Sequence, residues 1–301
     1  MTELRALIKR NTKLFFKDKG MFFTSMITPL ILLVLYSTFL AKVYRDSLAL
    51  SIPVGFSISD ELINAAVGAQ LFSSLLAVCC VTVAFCSNML MVQDKANGTV
   101  VDLYITPVKP SSLALGYYLS TVISTLIICY FTMLVSFVYM AVVGWYLSVA
   151  DVLLLILDIF LLVLFGTALS SIINFFLNSQ GQISAVGTIV SSGYGFICGA
   201  YMPLSQFGEG LRNTIMFLPG TYGTSLLKNH AMRGAFAEME NEGLPTEAVK
   251  EMKDALDCNL YFLDNGVDIG VMYAVIAGTV CLLIALYILL NYLKIRKRKV
   301  N

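Results

Sequence analysis

Apolar residues in this chain come in long runs rather than at helical or strand spacing, and polar residues are confined to the gaps between them. The runs predict spans at 21–41, 62–92, 113–143, 152–173, 183–202 and 269–293. Apolar stretches of about 20 residues are the length needed to cross a hydrocarbon core of roughly 30 Å. With no water there to satisfy backbone groups, such spans must be helical. Pro29 predicts a kink in the first. The gaps are read as a short outer loop (42–61), a polar inner segment (93–110), a short inner turn (174–182), a long outer insert (203–268) and a basic tail (294–301). Trp145 and Tyr146 sit in a tight turn that suits an interfacial aromatic belt.

Residues 1–20 are patterned differently. Leu4, Leu7, Ile8, Leu14 and Phe15 share one helical face, and Arg5, Lys9, Lys13 and Lys17 form an i, i+4 stripe on another. This is the pattern of a basic amphipathic helix lying in the headgroup plane. A signal peptide would also begin basic, but the run that follows is too long for one and lacks a small-x-small cleavage site.

Composition fixes the class. Hydrophobic residues make up 58% and charged residues 13%, with a mean hydropathy of +0.81, where soluble domains carry about a quarter charged residues. The expectation is an all-α polytopic membrane protein with six transmembrane helices. Net charge is only +1, so the position of the charges informs more than their sum. Six basic residues lie before the first span (Arg5, Lys9, Arg10, Lys13, Lys17, Lys19) and five follow the last (Lys294, Arg296, Lys297, Arg298, Lys299). An even number of spans with both ends basic predicts two cytoplasmic termini in the cell membrane. The insert 203–268 is then extracytoplasmic, with ten acidic residues against five basic. Its first part, 204–227, is too broken by Gly and Pro to span and suggests a re-entrant or interfacial helical hairpin. Pro245 to Asp257 suggests an amphipathic helix.

Candidate chemistry is sparse. Six of the seven cysteines fall inside apolar spans, and one histidine, His230, cannot build a standard zinc site. No phosphate-binding Gly-x-x-x-x-Gly-Lys-Ser/Thr loop occurs, so no nucleotide site of that kind is expected, and the chain is not read as an enzyme. Asn178-Ser179-Gln180-Gly181-Gln182 is read as a turn between spans. Asp158 is an ionisable residue about two turns into a span. It is either a proton or substrate site or a carboxyl bonded to neighbouring helices. Ser184, Gly187, Ser191, Gly195 and Gly199 form a stripe of small residues that permits close helix packing or lines a path for an amphipathic substrate.

The inner segment Gln93 to Pro110 is larger than a turn requires and offers a docking surface for a soluble partner. Asn97-Gly98-Thr99-Val100-Val101-Asp102-Leu103 followed by Thr106-Pro107-Val108 resembles a stretch found after the second helix of type-2 ABC exporter permeases, the transmembrane subunits of bacterial drug-export-like ABC transporters. Ser192-Gly193-Tyr194-Gly195-Phe196 through Met202-Pro203, then Phe217-Leu218-Pro219-Gly220-Thr221-Tyr222, resembles that family's C-terminal signature. The resemblance implies a permease without its own motor, working with a second permease copy or a paralogue and with a separate ABC ATPase subunit that binds ATP and Mg. It places ATPase docking on a coupling helix from Asp94 to Tyr104, with Asp94, Gly98, Thr99, Asp102 and Leu103, has the N-terminal helix also touch the ATPase, and gives a second contact at the 174–182 turn. It runs the pathway along the interface of the two permease copies, with the second and fifth spans contributing. The long acidic insert leans towards drugs, peptides or lipid-like amphipaths over a cell-surface glycan. A proton-coupled carrier using Asp158 and a ligand sensor built on the insert are the other readings. Membrane lipids are expected partners and nucleic acid is not.

Overall fold

The computed structural model describes residues 2–300 apart from Val54, Pro107 and Asp264. The expectations resting on Pro107 and on the side chains of Lys294, Arg296, Lys297, Arg298 and Lys299 lie outside the described residues. The helices are α1 (Thr2–Lys17), α2 (Lys19–Leu35), α3 (Ala41–Leu50), α4 (Asp60–Ala96), α5 (Thr99–Ile105), α6 (Pro110–Val143), α7 (Val149–Phe176), α8 (Gln180–Ile197), α9 (Glu209–Ile215), α10 (Pro219–Asn241), α11 (Thr246–Ala255) and α12 (Ile269–Val300). Strands β1 (Leu260–Phe262) and β2 (Asn265–Val267) form a small antiparallel hairpin with Leu260 opposite Val267, an element the apolar pattern does not announce. Among the described residues, five helical stretches are long and apolar enough to cross a membrane: Lys19–Asp46, Asp60–Ala96, Ser111–Val143, Val149–Phe176 and Ile269–Leu293. The chain is therefore an all-α polytopic membrane protein.

The bundle is built around α4. Nearly all of its apolar stretch is buried, and α2, α6, α7, α8 and α10 all pack on it. A helix that is apolar all round belongs in the middle of a fold, and the small side chains of α4 let its neighbours close in. The backbone of α7 comes close, since a Cβ at Gly166 would stand 3.0 Å from the Cys80 carbonyl oxygen. Both chain ends lie at one end of the bundle, here called proximal. Leu7 of α1 meets Gly116 near the start of α6, and the Tyr287 hydroxyl of α12 lies 3.5 Å from the Ala114 carbonyl. The ends of α4 at Ser59 and of α10 at Glu242 meet at the opposite, distal end, where the Ser59 hydroxyl and Glu242 are 3.2 Å apart.

Three segments depart from the sequence reading. The first helix does not stop at Ala41. It widens into a π-helical turn at Tyr36–Leu40 and continues as α3, because Tyr44 and Leu48, one turn apart, bury themselves against α4. The apolar run ends at Val92, but α4 continues to Ala96. The broken segment does not end at Leu227: after a short turn of helix at Leu204–Gln206 and α9, α10 starts at Pro219 and runs unbroken to Asn241. Proline suits a first helical position, where its missing N–H costs nothing.

Candidate functional site

At the proximal foot, the last turn of α4 is anchored on three sides. Asp94 receives two hydrogen bonds from the Arg10 guanidinium of α1, at 2.8 and 3.2 Å, and one from the Tyr117 hydroxyl of α6, at 2.6 Å. The bond to the carboxylate holds the Arg10 guanidinium above its ordinary pKa against the opposing effect of burial. The next residue, Lys95, donates to the carbonyls of Asn174 (2.8 Å), Phe175 (2.9 Å) and Leu177 (3.2 Å). It thereby caps the end of α7, where unpaired carbonyls and the helix dipole favour a cation. Residues 94 and 95 thus tie α4 to α1, α6 and α7 in its last turn.

The chain then turns through Gly98, whose φ of 78° is a left-handed conformation that side chains disfavour, and enters α5. Val100 and Leu103 pack back on the core, and the Thr106 hydroxyl closes the helix by donating to the Leu103 carbonyl at 2.6 Å. Asp102 is exposed, and on either side of it Val101 and Ile105 are 58% and 80% exposed. Two naked apolar side chains one turn apart, on a short helix below the bundle, form a small exposed apolar knob. The turn between α7 and α8 follows the α7 end that Lys95 caps; there Asn178 N–H donates to the Gln182 side chain at 2.8 Å and residues 178–182 are exposed.

The sequence-derived residues therefore separate. Gly98 and Thr99 are half-buried at the start of α5, Asp102 faces out and Leu103 faces partly in. Asp94 is a correction: it is buried within the fold and faces α1 and α6, not a partner. It belongs to the buried register of α4, which outlasts the apolar run by four residues. Val101, Ile105, Arg10, Lys95 and Tyr117 were missed. Arg10 did carry a signal, being the one basic residue of α1 off the i, i+4 stripe, and Val101 and Ile105 stand out as an apolar i, i+4 pair in a polar segment.

A groove of about 860 Å³ opens along the side of the bundle between α2, α4 and α8. Ser184, Gly187 and Ser191 line it, with Thr188 and Ser192. The hydroxyls of Ser184, Thr188 and Ser192 each donate to the carbonyl four residues back, at 3.1, 2.9 and 2.7 Å, so these three demand no polar partner. Two of the predicted stripe residues lie elsewhere. Gly195 is covered by the Tyr201 ring, and Gly199 makes the left-handed turn after α8, close to Leu204 and Asp257. At its distal end the groove is closed by Tyr36, Phe196 and Tyr201. Phe196 and Tyr201 meet edge to face at 4.9 Å, and the Tyr36 hydroxyl donates to the Ala200 carbonyl at 3.1 Å.

The distal end is fastened by three basic residues of α10. Lys228 bonds the Gly199 carbonyl at 2.9 Å and Asp257 at 3.2 Å. Burial pushes the Asp257 carboxyl above its ordinary range, and Lys228 and the Leu204 N–H pull it back. Arg233 pairs with Asp151, which also forms the capping box of α7 with Ser148. His230 Nδ1 lies 2.6 Å from Asp158, whose other oxygen accepts from the Tyr273 hydroxyl at 2.6 Å. Tyr273 is four residues into α12, about 6 Å along its axis. Asp158 is therefore near the distal edge of the apolar layer, where a charge costs less than at its centre. Among the described residues no group of three or more His, Cys, Asp or Glu side chains is placed to hold a metal.

The described residues thus form a central buried helix, a short helix anchored at one end of the bundle and a lateral groove. The sequence model of the ABC-2 type transporter family matches residues 2–229, from α1 into α10, so the chain belongs to that family. It is the membrane-spanning permease component of an ABC transporter, not its catalytic ATPase. No curated protein matches the chain.

Proposed function

We propose that this permease serves an ATP-driven exporter in the cell membrane, with the proximal end in the cytoplasm, α8 as a sixth crossing and α5 as the seat of a separate ABC ATPase subunit. The basic residues ahead of α2 support that orientation. The observation that carries the reading is the exposed pair Val101 and Ile105 on a helix whose root, Asp94 and Lys95, is tied to α1, α6 and α7. A push on α5 reaches all of them at once. Gly98, Thr99 and Asp102 border this contact, and the 178–182 turn adds to it; ATP and Mg are bound by the partner. A second copy, or a paralogue, covers the faces of α2 and α8 and closes the groove into a pathway. Its apolar, internally satisfied wall favours a drug, peptide or lipid-like amphipath over a glycan.

Purification of the tagged chain from native membranes tests this. An ABC ATPase is expected to accompany the wild type and to be lost from Ile105→Asp, which leaves the amount of inserted protein unchanged. Recovery of the same ATPase with the variant would overturn docking at α5, and absence of any ATPase from the wild type would overturn the motor altogether. In the proton-coupled reading Asp158 is a carrier. Saturation of both its oxygens by His230 and Tyr273 favours a structural tie instead.

A further inference from the structure

The outward face of α1 has no role in the docking just described. Arg5, Lys9, Lys13 and Lys17 are all exposed, and among the described residues none of the four forms an ion pair. The opposite face, Leu7, Asn11 and Phe15, is buried, and α1 packs along α6. Arg10, off the stripe, is turned inward to Asp94. The helix has thus separated its basic residues: one is neutralised inside the fold, and four are held in a row about 6 Å apart. Like charges at this spacing repel, and Glu3 is the single acidic residue of α1. The row ends at Lys17, two residues before the first membrane-crossing stretch begins at Lys19, so its end stands at the bilayer boundary. Phe16, 36% exposed, falls on the same face by helical phase. Basic residues with an aromatic among them, at the level where a span enters the membrane, are what an anionic bilayer surface attracts.

We infer that this face of α1 binds the headgroups of anionic phospholipids in the proximal leaflet. The contact stands apart from the motor; only its consequence rests on the proposed function. Through Arg10 and Asp94 the seating of α1 on lipid bears on the root of α5, which makes coupling sensitive to anionic lipid.

The test uses the full chain with tryptophan placed at Phe16 and Trp145→Phe, in nanodiscs of phosphatidylcholine carrying a minor share of brominated lipid. Brominated phosphatidylglycerol is expected to quench the tryptophan several-fold more than the same share of brominated phosphatidylcholine. The preference is expected to shrink in high salt and to vanish when Arg5, Lys9, Lys13 and Lys17 are all replaced by Gln. The milder pair Lys9→Gln and Lys13→Gln, expected to weaken the preference partially, guards against misfolding of the fuller variant. Equal quenching by the two lipids would overturn the inference, as would quenching by neither with protection of the tryptophan only when an ATPase is added. No ATPase is needed for the first arm, so its outcome is independent of whether the motor reading stands.

Discussion

Single residues at the proximal foot divide into those that hold the fold and those that face outward, and substitutions should separate the two. Ile105→Asp removes exposed apolar surface and is expected to leave thermal unfolding in detergent unchanged while abolishing ATPase association. Leu103→Asp places a carboxylate against the core contacts of α5 and should lose both. Asp94→Ala leaves the Tyr117 hydroxyl and the inward-turned Arg10 without their acceptor. A cost of about 1–3 kcal/mol is expected for such an unsatisfied buried group, read as a lowered unfolding midpoint; an unchanged midpoint would mean that Asp94 does not tie α1 to α6. The sequence displays Asp94, Gly98 and Asp102 as equals in one polar stretch. What it conceals is that α4 carries its helical phase four residues beyond the apolar run, which turns Asp94 inward. That phase is set by packing on α1 and α6 and leaves no mark in composition.

Among the elements, α10 is the one most dependent on distant partners. Its Gly and Pro residues read locally as interruptions, yet Pro219 starts the helix and Gly234 is a contact point: a Cβ there would run into the Tyr146 carbonyl. Its basic residues Lys228, His230 and Arg233 are satisfied by Asp257, Asp158 and Asp151, all remote in sequence. Such pairs belong to the tertiary fold, so 204–227 looked broken where the structure has a continuous helix from Pro219 onward. Leaving a buried hydrogen-bonding group without its partner costs about 1–3 kcal/mol. Asp158→Ala is accordingly expected to lower the unfolding midpoint strongly, since His230 and Tyr273 lose their acceptor together. Asp158→Asn keeps an acceptor and should retain most of both stability and transport. Loss of transport in Asp158→Asn at unchanged stability would restore the proton-carrier reading. Gly234→Val should destabilise through overpacking, by about 1–3 kcal/mol, with α5 docking intact in whatever fraction folds.

At the scale of the whole molecule, the apolar runs made the α-helical class and the long spans plain, because the hydrocarbon layer imposes length and composition together. They said less about which spans meet lipid and which meet protein. In the single chain α4 is enclosed, whereas α2 presents Phe23, Ile27 and Ile31 outward and α8 packs chiefly on α4. From Ser184 to Ser192 the outward face of α8 is made of Ser184, Ala185, Thr188, Ile189 and Ser192, and the exposed Phe196 and Ile197 follow only at its distal end. A face this poor in large apolar side chains gains little from lipid tails but allows another helix to approach closely. A two-fold pair that places α2 of one copy against α8 of the other meets both needs, and an isologous contact repeats itself on the second side. With Cys281, the exposed cysteine of the chain, replaced by Ser, the double substitution Ile31→Cys and Ile189→Cys should give an oxidised covalent dimer in membranes. Val142→Cys on α6, 83% exposed, should not, because it faces lipid in such a pair. Cross-linking through Val142→Cys alone would place the partner on α6 and leave the groove between α2 and α8 open to the bilayer, so that any pathway would have to be formed within one copy.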